Sequence, residues 1–90
     1  MVKEKLQPLN GNEELLSDEK VLILYNDEVN SFDFVISTLI EVCGHDQHQA
    51  EQCTLIAHFK GKCGVKSGAF EELKPIYTEM TNRKLTVTIK

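Results

Sequence analysis

The sequence predicts an α/β (α+β) fold of order β-α-α-β-α-β, a small three-stranded sheet covered by three helices. Three observations carry this. The apolar run Val21-Leu22-Ile23-Leu24-Tyr25 stops abruptly at Asn26-Asp27-Glu28, and it is short enough to be a strand and not a helix. Apolar residues at helical spacing recur after it. The chain then closes on Leu85, Val87 and Ile89 alternating with Thr86, Thr88 and Lys90, the period of a half-exposed strand.

Each element has its own signals. Val21–Tyr25 reads as a strand buried on both faces or nearly so. After the loop 26–31, Ser31 is placed to cap a helix, with Asp33 facing the positive end of its dipole. Phe32, Val35, Ile36, Leu39, Ile40 and Cys43 form that helix's apolar stripe, and Gly44 ends it. Asp46 followed by Gln49 resembles a capping box for a second helix, Gln47 to about Phe59. Its apolar face is Ala50, Cys53, Thr54 and Ala57, and Gly61 ends it. Lys62–Lys66 is a short β segment. Ser67 is expected to cap a third helix, Gly68 to about Asn82, with Phe70, Leu73, Ile76, Tyr77 and Met80 on one stripe. Pro75 lies inside that stripe, so the helix should kink or start late. Residues 1–18 are polar and aperiodic and read as a flexible N-terminal extension, with one domain over 19–90.

Ninety residues, 41% hydrophobic and 27% charged, describe one small globular domain. So short a chain cannot enclose a deep active site, which favours a surface groove. A net charge of −4, with 10 basic against 14 acidic residues and no basic run, argues against nucleic acid as a partner. No apolar stretch approaches the length of a bilayer span, and Met1-Val2-Lys3-Glu4-Lys5 lacks a signal-peptide core. The expectation is a cytoplasmic protein, monomeric, with no membrane partner.

Asn26-Asp27-Glu28 gathers amide and carboxylate acceptors on a loop beside the core. Such a cluster suits a cation bearing several N–H donors, because an ammonium group only donates; an Asn-Asp pair can equally be a simple turn. Cys43, Cys53 and Cys63 are an odd number of thiols and fit a reducing compartment. Their spacing with His45, His48 and His58 contains no Cys-x2-Cys knuckle and scatters over several helix faces, so no metal or other cofactor is expected. No third orienting group supports a Cys–His nucleophile, and no enzyme activity is expected.

Leu24-Tyr25-Asn26-Asp27-Glu28, then Asp33-Phe34-Val35, then His58-Phe59-Lys60-Gly61-Lys62 followed by Cys63-Gly64-Val65, stand in the order found in the ClpS adaptor family, which this chain resembles over residues 20–90. The resemblance implies an adaptor without covalent chemistry. Such a protein binds N-degron substrates, proteins whose N-terminal residue is Phe, Tyr, Trp or Leu, and hands them to an AAA+ unfoldase of the Clp protease, ClpA in many bacteria. It also implies that Asn26, Glu28 and an unprotonated ring nitrogen of His58 receive the α-amino group. Three acceptors then meet the three donors of an ammonium cation. By the same carry-over Leu24, Asn30, Phe32, Val35, Thr54, Ala57 and Leu85 line the cavity for the first side chain, although most are also ordinary core candidates.

The chain departs from the family's pattern at several of these positions. Glu28 stands where a second Asp is usual, moving the carboxylate by about 1.5 Å. Asn30-Ser31-Phe32 replaces Thr-Pro-Met, Thr54 replaces a common methionine, and the stretch from Gly61 to Val65 is about two residues shorter. Pocket shape, and with it the preference among aromatic and aliphatic residues, is expected to change. Two competing readings are a factor-binding domain of the ribosomal-stalk type, for which Lys60 and Lys62 are too few, and a small enzyme or metal protein using Cys43, Cys53 or His45.

Overall fold

The computed structural model describes residues 18–90, so the expected flexible extension lies, apart from Asp18, outside the described residues. In chain order the elements are β1 (Lys20–Tyr25), α1 (Phe32–Cys43), α2 (Gln47–Lys60), β2 (Lys62–Gly68), α3 (Phe70–Asn82) and β3 (Val87–Ile89). The sheet is antiparallel with β1 in the centre, order β2-β1-β3. The expected α+β fold with three helices and three strands is the one found.

β1 corrects one expectation. It is covered on one face only: Leu22 and Leu24 are buried, whereas Val21 is 36% exposed on the other side. The helices pack over the Leu22–Leu24 face, where Leu39, Leu73, Met80, Val65 and Val87 complete the core. Alternation inside a wholly apolar run is invisible to a hydropathy pattern, because every residue in it is apolar.

Both helix starts expected near β1 are built as the sequence implies. Ser31 Oγ accepts from the Phe34 N–H at 3.1 Å, and Gly44 closes α1 in the left-handed conformation. Asp46 Oδ1 accepts from the Gln49 N–H at 2.7 Å, and α2 buries Ala50, Cys53, Thr54 and Ala57 as its pattern requires.

The third helix starts later than expected. Ser67 and Gly68 are not its first turn; they continue β2, pairing with Val21 and Lys20. The ladder extends because β1 itself begins at Lys20 and offers partners to these residues, a long-range gain that outweighs a local capping preference. Ala69 then takes the cap position, and Glu72 reaches back to accept its N–H at 2.9 Å. The helix runs unbroken through Pro75, which lacks the N–H that the Glu71 carbonyl would otherwise receive. Phe70, placed by its spacing on the buried stripe, is 45% exposed. β3 is likewise shorter than the expected Leu85–Ile89. Lys84 adopts a left-handed φ of 71° and the Leu85 N–H donates to the Met80 carbonyl at 3.1 Å, so Leu85 closes the turn after α3 before the ladder begins.

A bulge shapes β2. Leu22 pairs with Lys66 and Ile23 with Gly64, which leaves Val65 as the extra residue. His45 is buried and its Nε2 donates to the Val65 carbonyl at 2.6 Å. This gives His45 a packing role at the α1–α2 corner. The three cysteines are free; Cys43 and Cys53 are buried and Cys63 is half-buried. Burial pushes the Cys43 thiol up to about 11 and the Cys53 thiol up to about 12, so both are unreactive thiols at neutral pH.

Candidate functional site

The end of β1, the loop 26–30 and the last turns of α2 meet in a surface crevice. What joins them is main-chain bonding. Asn26, the first residue past β1, donates its N–H to the Gly61 carbonyl at 2.9 Å. Gly61 ends α2 with φ 96° and its own N–H on the Ala57 carbonyl at 2.9 Å. A left-handed conformation of this kind strains any residue bearing a Cβ. The last turn of α2, with His58 on it, is thereby set against the strand end.

Leu24, Asn26, Asn30, Phe32, Val35, Thr54, Ala57 and His58 line the crevice. Leu24, Val35, Thr54 and Ala57 are buried and form its floor. Thr54 donates its hydroxyl to the Ala50 carbonyl at 2.8 Å, so its polar atom is satisfied within the helix. The Phe32 ring lies edge-on to His58, with centroids 5.1 Å apart at 74°. His58 in turn meets Phe59 at 4.8 Å and 78°.

Two of the expected residues stand off the lining. Glu28 is exposed at the rim, where Asn26 Nδ2 approaches Glu28 Oε2 at 3.4 Å. This contact turns the Asn26 amide nitrogen toward Glu28 and leaves its oxygen as the free acceptor. Leu85 is buried but does not line the crevice, because the turn at Lys84 points it into the core.

The lining also includes Tyr25 and Asp27; Asp27 stands in the expected acceptor cluster Asn26-Asp27-Glu28, whereas Tyr25 is not among the expected site residues. The Tyr25 hydroxyl is within 3.2 Å of the Thr88 hydroxyl, and no local pattern signals it. Asp27 had a signal, the spacing Asp27-x-x-Asn30 of an Asx-type turn. Its Oδ1 accepts from the N–H groups of Val29 at 2.9 Å and Asn30 at 2.8 Å, and its Oδ2 from Asn30 Nδ2 at 3.1 Å. Asn30 Nδ2 also reaches the Lys84 carbonyl at 3.0 Å. Asp27 is thus the hub of the loop, with its acceptors already engaged.

Partial burial works against ionising Asp27, but the hydrogen bonds from Asn30 and Val29 outweigh it and hold the carboxyl below the usual carboxylate range. A carboxyl with a lowered folded-state pKa adds stability at neutral pH that is lost as pH falls through that lowered value. Asp27→Asn should therefore lower the melting temperature at pH ~7, and the gap to wild type should close below about pH 4. A gap that stays constant in a thermal melt series over that range would show that the ionised carboxylate does not hold the loop.

The free volume in the crevice is about 20 Å³, room for a water molecule and not for an aromatic ring. Phe32, 41% exposed, is the apolar wall residue with least packed around it.

Among the described residues no three His, Cys, Asp or Glu side chains converge as a metal-binding group. No helix there is long and apolar enough to cross a membrane.

Comparisons with known proteins bear on this arrangement. A sequence profile of the family described as "ATP-dependent Clp protease adaptor protein ClpS" matches residues 17–88. The ATP-dependent Clp protease adapter protein ClpS of Hydrogenovibrio crunogenus is 38% identical over 55 residues, 59% of this chain, and the match spans 53% of that relative. In three dimensions the chain is similar to Agrobacterium tumefaciens ClpS2 bound to L-phenylalaninamide, with a TM-score of 0.77 at 19% sequence identity over 81% of this chain and 95% of that one. At that identity the likeness speaks for the fold.

Proposed function

This chain belongs to the ClpS adaptor family, and from that footing we propose that its crevice receives the first residue of proteins bearing a free N-terminus and a bulky apolar side chain. Phe, Tyr, Trp and Leu are the residues of that class. The Asn26 side-chain oxygen, the Glu28 carboxylate and a ring nitrogen of His58 accept the three N–H donors of the α-ammonium group. The side chain descends between Phe32, Val35, Thr54 and Ala57 onto Leu24. The bound protein then passes to an AAA+ Clp unfoldase, ClpA or an equivalent, with residues 1–18 engaged during the transfer. The protein acts as a cytoplasmic monomer and makes no covalent bond to its substrate.

One observation carries this reading. The Asn26 N–H to Gly61 carbonyl bond puts Asn26 and His58 on a single crevice, so polar acceptors stand at the mouth of an apolar floor. L-phenylalaninamide, the ligand named for the Agrobacterium protein, has the matching chemistry: a free amine beside a benzyl group.

The test is a titration with peptides that differ only in the first residue. Phe-, Trp- and Leu-led peptides should bind at least about tenfold more tightly than Ser- or Gly-led ones, the difference expected for burying even part of a large side chain. Affinity independent of the first residue would overturn the proposal.

A further inference from the structure

We propose that a groove on the sheet face turned away from the helices is covered by this chain's own Leu15 and Leu16, held there by Glu13 and Glu14. The inference does not depend on what the crevice binds. The helices pack over the Leu22–Leu24 face of β1. Successive strand side chains point to opposite faces, so Val21 and Ile23 look out of the other one. With Ile56, Gly64, Lys62 and Lys90 they line one groove of about 480 Å³, against about 20 Å³ in the crevice.

The groove has an apolar centre and a basic margin. Val21 is 36% and Ile56 39% exposed. Gly64 pairs with Ile23 in the ladder, and a Cβ on it would come within 3.1 Å of Val21 Cγ1, so glycine keeps the floor low between the two strands. A contiguous apolar floor of this kind marks a surface that something covers. Among the described residues the charged side chains lining it are both lysines, in a chain whose net charge is −4.

The cover must therefore be acidic and aliphatic, and the chain supplies such a segment close by. Glu13-Glu14-Leu15-Leu16 stands just ahead of Lys20, where β1 begins. The chain enters the sheet beside the groove, because Val21 exchanges two main-chain bonds with Lys90, at 3.1 and 2.9 Å. The stretch from Glu13 to Glu19 can extend to about 24 Å, enough to run the length of β1, about 20 Å. So short a tether gives a high effective concentration, and weak contacts suffice. Lys3 and Lys5, farther upstream, carry the wrong charge for this groove.

The experiment is methyl NMR on the whole chain at several concentrations, with thermolysin cleavage before Leu15 and Leu16 as a second readout. Wild type should show nuclear Overhauser contacts from the Leu15 or Leu16 methyls to those of Val21, Ile23 or Ile56, unchanged on dilution. Lys62 and Lys90 are exposed, so reversing them does not endanger the fold. Lys62→Glu with Lys90→Glu should speed cleavage about threefold to tenfold, and adding Glu13→Lys with Glu14→Lys should slow it again. Absent methyl contacts in wild type, cleavage unaffected by the lysine reversals, or a quadruple variant cut as fast as the double one would overturn the proposal. Contacts that vanish on dilution would place a second copy in the groove and overturn it as well.

Discussion

Acetylating the N-terminus of a Phe-led peptide should abolish measurable binding. The acetyl group removes the positive charge and leaves a single amide N–H where three donors stood. Asn26, Glu28 and His58 would then be left with acceptors unmatched. Breaking a hydrogen-bonded charge pair in this way costs about 2–5 kcal/mol, or roughly 30- to 4,000-fold in affinity. Isothermal titration of the free and acetylated forms of one peptide reads the effect directly. Equal affinities would mean that the polar mouth of the crevice does not recognise an amine.

The second large effect should come from the floor. Thr54 is buried, its hydroxyl is tied to the Ala50 carbonyl, and the crevice holds only about 20 Å³ of free volume. Thr54→Met adds bulk where there is least room for it. Overpacking of this kind costs about 1–3 kcal/mol, and it should fall most heavily on the widest ligand. Trp-led peptides should lose more affinity than Leu-led ones, so that the two diverge in the variant. Parallel losses, or none, would remove Thr54 from the wall that contacts the ligand. Phe32 sets the same width from the other side, and its exposure makes it the residue able to yield.

How much of this could be read from the chain follows a physical line. The helices α1 and α2 were legible because their apolar spacing, caps and terminal glycines agree: Ser31, Gly44, Asp46 and Gly61 each do locally what their chemistry favours. The elements that differed were decided by main-chain hydrogen bonds that apolar spacing does not report. Ser67 and Gly68 joined β2 because Lys20 and Val21 were there to pair with them. Leu85 left the expected strand because of a turn bonded to Met80.

The site divides in the same way. Most of the floor was recoverable, since a buried helix stripe and a strand end converge on it. The meeting of Asn26 with His58 is created by a hydrogen bond to Gly61, which no local pattern encodes; it came from resemblance to the ClpS family. Asp27 shows the converse. Its role as the loop's hub is written in the spacing to Asn30, but in the cluster Asn26-Asp27-Glu28 a carboxylate that closes a turn and one that awaits a cation look alike.

If an N-terminal residue seats its amine and side chain together in this one crevice, both must be felt by the same few residues. The most direct measurement is an NMR titration of the isotopically labelled chain with L-phenylalaninamide and, in parallel, with its N-acetyl derivative. The free amine should shift the backbone amides of Asn26, Asp27, Thr54, Ala57 and His58 most strongly, and the acetylated compound should leave them in place. Equal shifts with both compounds, or shifts centred instead on the groove lined by Phe70, Tyr77 and Ile89, would mean that the amine and side chain are not seated here.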